Sequence, residues 1–171
     1  MIENIKNDIF AVPCDAIIHQ ANCMHTMGSG IARFIREIFP EAYEADCRTK
    51  KGDPSKLGTF SWAMVKNPDY PHIKAIINLY GQFNFSADSR HTRYDALYDG
   101  FVMVREKMRQ KAKYDLRTLA IPFRLGCNRG GGDWRVVNAI IESVFLDEKH
   151  FKVLICENPA LQEELMNSQS K

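Results

Sequence analysis

Residues 16–31 read AIIHQANCMHTMGSGI, and this stretch decides the fold. It opens with a short β-branched apolar run, Ala16 to Ala21, of the type and length of a buried strand. It closes on Gly28-Ser29-Gly30, after which apolar residues step by three and four along one side of a predicted helix. The residues on that side are Ile31, Phe34, Ile35, Ile38 and Phe39. The stretch therefore predicts a strand, a glycine-rich loop and a helix in immediate succession.

A second glycine-rich loop has the same context further along the chain. Leu119 to Pro122 predicts a strand, residues 126–132 read GCNRGGG, and helical spacing returns from Val137 to Phe145. Glycine lets a backbone approach a ligand closely, and the N–H groups at a helix N-terminus attract phosphate. One such loop on its own is weak evidence and favours a tight turn over a phosphate site. Two at strand-to-helix junctions favour a ligand with two linked phosphates.

The other predicted elements complete an alternation of strands and helices. Pro40 is expected to end the first helix and to start the next. Further strands are predicted at Ile2–Ile5, Leu57–Val65, Ile73–Leu79 and Lys152–Cys156, and further helices at Glu41–Arg48, around Leu97–Met108 and at Leu161–Met166. This order argues for a sheet between helical layers, with ligands beyond the carboxyl ends of its strands. Neither glycine loop has a P-loop or GxGxxG pattern, which disfavours P-loop NTPases and dinucleotide-dependent dehydrogenases.

Composition excludes several classes of protein. The 171 residues suit one domain, spanning 1–171. Lys plus Arg exceeds Asp plus Glu only slightly, 23 against 21, so the charge does not indicate binding to extended nucleic acid or to a membrane. Five irregularly spaced cysteines favour a reducing cytoplasm over a disulfide framework. The spacing of Cys23, His25 and Cys47 matches no common zinc pattern. We expect a cytoplasmic monomer without a signal peptide, a membrane span, a metal or a cofactor.

Several blocks of sequence, in the right order, resemble a macro domain. They are residues 7–9 (NDI), 19–23 (HQANC), 27–32 (MGSGIA), 39–41 (FPE), 78–82 (NLYGQ), 121–122 (IP) and 131–134 (GGDW). The resemblance runs from about Ile2 to Glu157, leaving 158–171 as a short helix and a polar tail. It points to the branch with terminal ADP-ribose glycohydrolases, a yeast ADP-ribose 1″-phosphate phosphatase and antitoxins that reverse DNA ADP-ribosylation.

The resemblance implies a three-layer αβα sandwich with a mixed, mostly parallel sheet, and ADP-ribose as the ligand. Asp8 would accept a hydrogen bond from the adenine amino group, the two glycine loops would wrap the pyrophosphate, and Asn22 would face the distal ribose. The implied ligand-binding residues are Asp8, Ile9, Asn22, Gly28, Ser29, Gly30, Ile31, Gln82, Pro122, Gly126, Cys127, Asn128, Arg129, Gly130, Gly131 and Gly132. No cofactor is implied.

The resemblance also implies a lysine nucleophile after the fourth strand, where this chain has Gly81-Gln82, and an amide is not a nucleophile. The catalytic candidates are therefore Asp133, His19 and Asn22. Asp133 is either a general base or the N-cap of the following helix. His19, expected to point towards the same cleft as Asn22, is either a proton donor or a hydrogen-bonded residue at a strand end. Cys127 is either a stabilised thiolate or a packing residue.

Three functions remain open from the sequence. The leading hypothesis is hydrolysis of a phosphate or ADP-ribosyl bond at the distal ribose by an activated water. The alternatives are a non-catalytic ADP-ribose reader and an antitoxin acting on ADP-ribosylated DNA, the latter weakened by the near-neutral charge and the absent lysine. His25 and Arg129 could contact phosphate, and Arg90, Thr92 and Tyr94 could form a lid over the distal ribose.

Overall fold

The computed structural model of the chain describes residues 1–86 and 89–159. Its strands are β1 (Ile2–Ile5), β2 (Ala16–Asn22), β3 (Phe60–Met64), β4 (Ala75–Gln82), β5 (Thr118–Pro122) and β6 (Lys152–Cys156). Its helices are α1 (Gly30–Ile38), α2 (Pro40–Cys47), α3 (Tyr94–Ala112) and α4 (Trp134–Phe145), with a 3-10 turn at Pro54–Lys56. The helix predicted at Leu161–Met166 and the polar tail lie outside the described residues. No described helix is long and apolar enough to cross a bilayer.

The strands form one sheet in the order β1-β6-β5-β2-β4-β3. Every pair of neighbours is parallel except β3 and β4, which are antiparallel at one edge. The carboxyl ends of the five parallel strands therefore meet along one edge of the sheet. The connections that follow β1, β2, β4 and β5 all begin there.

Helices cover both faces of the sheet. On one face, Ile35 of α1 and Ala42 of α2 pack with Ile17 and Ile76 from the sheet. On the other face, α3 and α4 pack on residues that alternate with those, and the rings of Phe101 and Phe145 meet edge to face at 5.7 Å. Burying both faces explains the near-continuous apolar runs of the central strands. The predicted three-layer αβα sandwich is confirmed.

Three local predictions need correction. The strand predicted at Leu57–Val65 begins only at Phe60, because Gly58 turns the chain at φ +78° before it. The strand predicted at Ile73–Leu79 runs from Ala75 to Gln82, since parallel pairing with β2 continues past the apolar run to Asn22.

The predicted apolar side of α1 is also narrower in the structure. Ile35 and the following Phe39 are fully buried, whereas Phe34 is 37% exposed. Successive residues on a helix lie about 100° apart, so burying Ile35 turns Phe34 towards the surface. Pro40 separates α1 from α2 as predicted.

Candidate functional site

The two glycine loops lie side by side at the point where successive strand-to-helix connections switch from one face of the sheet to the other. We call residues 23–29, between β2 and α1, loop 1, and residues 123–133, between β5 and α4, loop 2. β2 and β5 are neighbours in the sheet, but α1 packs on one face and α4 on the other. The loops therefore leave adjacent strand ends towards opposite faces of the sheet, an arrangement that opens a crevice between two such loops. Open α/β sheets bind ligands in such a crevice.

The side chain of Asn22 holds the backbone of loop 1 through hydrogen bonds. Its side chain is buried, its Nδ2 donates to the carbonyl of Thr26 at 2.7 Å, and its Oδ1 accepts from the backbone N–H of Met24 at 2.9 Å. Both ends of the amide are therefore engaged by the loop itself. The structure assigns Asn22 a place in the loop scaffold, and its expected contact with a distal ribose remains a prediction.

The N-terminus of α1 is open. Ser29 stands at the N-cap position without a side-chain cap bond, and the first turn contains no acidic residue. Among the described residues, no acceptor lies within hydrogen-bond distance of the backbone N–H groups of residues 28–32. A Cβ at Gly30, where φ is +54°, would meet nothing within 4 Å, and one at Gly28 would meet only Thr26 Cγ2, at 4.0 Å. An anion could therefore approach this backbone directly.

Loop 2 presents a second set of backbone donors. In the described part of the chain, the N–H groups of residues 128–130 have no acceptor within hydrogen-bond distance. The carbonyls are used differently, because those of Gly126 and Gly130 accept hydrogen bonds from residues 91–92 and Gly132. The backbone N–H groups of residues 128–130 thus remain available to a ligand, while the carbonyls of Gly126 and Gly130 attach loop 2 to the rest of the protein.

The start of α4 contrasts with that of α1. Asp133 caps the helix, with Oδ1 accepting the backbone N–H of Arg135 at 2.9 Å, and Arg135 Nη2 lies 2.6 Å from its Oδ2. The hydrogen bonds from the Arg135 side chain and backbone lower the pKa of this carboxyl. The Tyr94 hydroxyl accepts the backbone N–H of Asp133 at 2.9 Å. The sequence is compatible with either a general base or a helix N-cap at Asp133, and in the structure Asp133 is the N-cap.

The expectation that His19 points towards the cleft is not met. The side chain is fully buried, and its Nε2 lies 2.7 Å from Oδ1 of Asn78, the residue opposite it on β4. Asn78 in turn donates to the carbonyl of Ala42 in α2, so the pair lies inside the layer between sheet and helix. Burial lowers the pKa of His19, which favours the neutral imidazole. In the structure His19 is a buried, hydrogen-bonded residue between the sheet and α2.

The remaining predicted residues extend the site along the sheet edge. Asp8 follows β1, and Phe10 N–H donates to its Oδ1 at 3.1 Å. Asp8 also contributes to raising the pKa of Cys156, at the end of β6, although burial is the larger cause. Ile9 is buried in the core, and Pro122 ends β5 opposite Cys156. The span from β1 to β4 comprises four inter-strand gaps, or about 19 Å.

Most of the other candidate groups are buried or hydrogen-bonded within the protein, whereas Arg129 is exposed. Burial raises the pKa of the Cys127 thiol to about 11, and the side chain packs in the core, as its packing interpretation predicts. His25 Nε2 lies 3.1 Å from the Thr49 hydroxyl. Gln82 accepts from Gln20 and donates to the carbonyl of Asn84 at 2.7 Å. Arg129 is exposed, and Thr92, predicted in a lid, is 1% exposed beneath loop 2.

Sequence reasoning missed Gln20. Its Nε2 donates to the Thr92 hydroxyl at 2.9 Å, and Thr92 Oγ1 donates to the carbonyl of Gly126 at 2.6 Å. A glutamine in a predicted strand carries no signal of such a role. The only indication in the sequence was its position near the end of β2, two residues before Asn22 and on the face opposite His19.

Comparisons with known proteins agree with this architecture. A family model described as Macro domain matches residues 18–141. An uncharacterised 17.5 kDa protein of phage T4, from the tk-vs intergenic region, is 32% identical over 146 residues, covering 84% of this chain and 89% of the phage protein. A DNA ADP-ribosyl glycohydrolase of Mycobacterium tuberculosis is 28% identical over 149 residues. Those residues cover 85% of this chain but only 39% of that enzyme.

Solved structures share the fold. The macrodomain of Mycobacterium tuberculosis DarG superposes with a TM-score of 0.73 at 21% identity, covering 92% of this chain and 97% of that one. Thermosipho africanus DarTG in complex with ADP-ribose superposes with a TM-score of 0.74 at 18% identity. The match covers 93% of this chain and 42% of that chain. These similarities agree with the observed fold, and the family model matches most of the sequence. The chain belongs to the macro domain family.

Proposed function

We propose that this chain binds ADP-ribose in the crevice between loop 1 and loop 2. The observation that carries the proposal is the pair of backbone donor sets, residues 28–32 and 128–130, which follow neighbouring strand ends and have no acceptors in the described part of the protein. A pyrophosphate needs several donors from two sides, and backbone N–H groups supply them without adding net charge. This also agrees with the near-neutral composition.

The order of groups along the sheet edge supports an elongated ligand. Asp8 lies at the β1 end, the two loops lie at the centre, and Gln82 ends β4 on the far side. A carboxylate suits the adenine amino group, the central donors suit two phosphates, and polar side chains suit a ribose. Thermosipho africanus DarTG, which shares the fold and was solved in complex with ADP-ribose, supports the choice of ADP-ribose as the ligand.

Chemical-shift mapping by NMR tests where the ligand binds. Titration with ADP-ribose is expected to shift the amides of residues 28–32 and 128–130. Arg117 and Lys149 line a concavity at the amino ends of β5 and β6, so their amides provide an internal control. Shifts confined to that concavity, or none in either loop, would exclude the proposed site.

Hydrolysis at the distal ribose is the second candidate function. It is favoured by the similarity to a DNA ADP-ribosyl glycohydrolase over 149 residues. Asp133 is the carboxylate of loop 2 that would orient a water, after exchanging its contact with Arg135 for one with that water. Gln82, held by Gln20 and Asn84, offers no nucleophile, so water itself would attack.

Turnover assays separate the two functions. ADP-ribose 1″-phosphate and ADP-ribosylated DNA are incubated with the wild type and with Asp133→Ser, which keeps an N-cap but removes the carboxylate. Turnover by the wild type that disappears in the variant supports hydrolysis with Asp133 as base. Binding of ADP-ribose without turnover of either substrate leaves the chain a reader.

A further inference from the structure

A partly buried polar relay joins the sheet to loop 2. Gln20, on β2, donates from Nε2 to both the Gln82 amide oxygen and the Thr92 hydroxyl, the latter at 2.9 Å. Thr92 is 1% exposed, and its hydroxyl donates to the Gly126 carbonyl at 2.6 Å. The relay connects two strand ends with the segment before α3 and with loop 2.

The backbone around Thr92 makes a second attachment. The N–H groups of His91 and Thr92 both donate to the carbonyl of Gly130 at 3.0 Å. Gly132 N–H donates to the same Gly126 carbonyl that Thr92 binds, at 2.9 Å. Thr92 therefore holds both halves of loop 2, on either side of the donors at residues 128–130.

The glycines of loop 2 fit closely around this relay. A Cβ at Gly126 would lie 2.4 Å from Gln20 Oε1, and one at Gly130 would lie 2.2 Å from Thr92 Oγ1. Distances under 3.0 Å do not occur for real Cβ atoms, so at these two positions glycine permits contact with the relay. In loop 1, by contrast, a Cβ at Gly30 would meet nothing within 4 Å.

We propose that Thr92 is a positioning residue, which clamps loop 2 onto Gln20 so that the N–H groups of residues 128–130 are fixed for the phosphates of the ligand. The inference rests on the proposed ADP-ribose function and adds a group that does not touch the ligand. A clamp of this kind acts on affinity by pre-organisation, because a loop already held in its bound conformation loses less entropy on binding. The hydroxyl is the essential group, since it both accepts and donates.

The test compares Thr92→Val, which loses the hydroxyl but keeps a similar shape, with Thr92→Ser, which retains it. Affinity for ADP-ribose is expected to fall about tenfold in Thr92→Val and to recover to within about threefold in Thr92→Ser. Affinity for adenosine, which has no phosphate for loop 2 to bind, is expected to change less than about twofold in either variant. Thr118→Val, at the amino end of β5, serves as the matched control.

Amide hydrogen exchange reports on the clamp without any ligand. The N–H of Gly132, bonded to the Gly126 carbonyl, is expected to exchange faster in Thr92→Val than in the wild type and the Thr118→Val control. Unchanged exchange at Gly132, or equal losses of ADP-ribose and adenosine affinity, would overturn the clamp. A wild type that binds no ADP-ribose would refute the proposed function instead, and Gly132 exchange would still show whether Thr92 holds the loop.

Discussion

Asp133 and Arg135 form a two-residue clasp at the start of α4, in which the guanidinium Nη2 lies 2.6 Å from Oδ2 and the backbone N–H lies 2.9 Å from Oδ1. The clasp lowers the pKa of the carboxyl, with the Arg135 side chain as the largest cause. A carboxylate held in this way is a weaker base than a free one. In the structure this carboxylate caps the helix.

The cap can be measured separately from any catalytic role. Asp133→Ala is expected to lower the free energy of unfolding by about 1 kcal/mol, because it removes the acceptor for the Arg135 N–H. Asp133→Ser is expected to restore most of that loss, since serine is also a favoured N-cap. Urea denaturation of the three proteins provides the comparison. Equal destabilisation by alanine and serine would show that the cap is not what Asp133 contributes.

The buried His19 makes stability depend on pH. Burial lowers the pKa of its imidazole, so below about pH 6.5 the unfolded chain binds a proton at this residue more readily than the folded chain does. The contribution to stability is therefore complete above about pH 6.5 and is lost as the pH falls towards the folded pKa, by at most about 1.4 kcal/mol per pH unit.

His19→Gln isolates this effect, because an amide can still bond to Asn78 but does not titrate. Free energies of unfolding from urea denaturation at pH 7.5 and 5.5 give the change with pH for each protein. The wild type is expected to lose more than the variant between these conditions, by up to about 1.4 kcal/mol, because pH 5.5 lies one unit below the pKa of an unfolded histidine. Parallel losses in the two proteins would contradict the assignment of His19 as a buried neutral group.

A buried ion pair lies against loop 1, because Lys56 Nζ also donates to the carbonyl of Cys23 at 3.5 Å. Lys56 Nζ lies 3.4 Å from Asp46 Oδ1 and 4.2 Å from the centre of the Tyr80 ring, and both charged side chains are at most 7% exposed. Lys56→Met is expected to lower the free energy of unfolding by about 3 kcal/mol, because it leaves Asp46 buried without its cation. Arg48→Met, which breaks an exposed pair with Glu44, is the control and should cost less than about 0.5 kcal/mol. Similar effects of the two substitutions in urea denaturation would contradict this account.

Much of the scaffold could be predicted because local patterns and tertiary structure agree. β1 and β6 have the predicted ends, Ile2–Ile5 and Lys152–Cys156, since each apolar run stops where pairing stops. β4 continues past its apolar run through Gly81 and Gln82, because parallel pairing with β2 does not depend on apolar side chains. Both strand–loop–helix units were predictable for the same reason: glycine, strand and helix signals follow one another directly.

The polar interior of the site could not be read from the sequence. Gln20 and Thr92 lie 72 residues apart, and nothing local marks their hydrogen bond. His19 was misplaced because proximity along a strand does not specify its face, and its partner Asn78 lies on another strand. Asp133 left two interpretations open because a cap and a base require the same carboxylate at the same helix end. Long-range contacts decide each of these cases.

The most direct test of the central claim is calorimetric titration of ADP-ribose into the wild type and into Gly28→Glu and Gly28→Ala. A Cβ at Gly28 has room, with Thr26 Cγ2 its nearest contact at 4.0 Å, so neither variant should disturb the fold. The wild type and Gly28→Ala are expected to bind one equivalent with similar micromolar affinity, and Gly28→Glu to bind at least about tenfold more weakly because its carboxylate enters the phosphate site. No binding heat from the wild type, or equal affinity in Gly28→Glu, would contradict the proposal that the paired glycine loops hold the pyrophosphate of ADP-ribose.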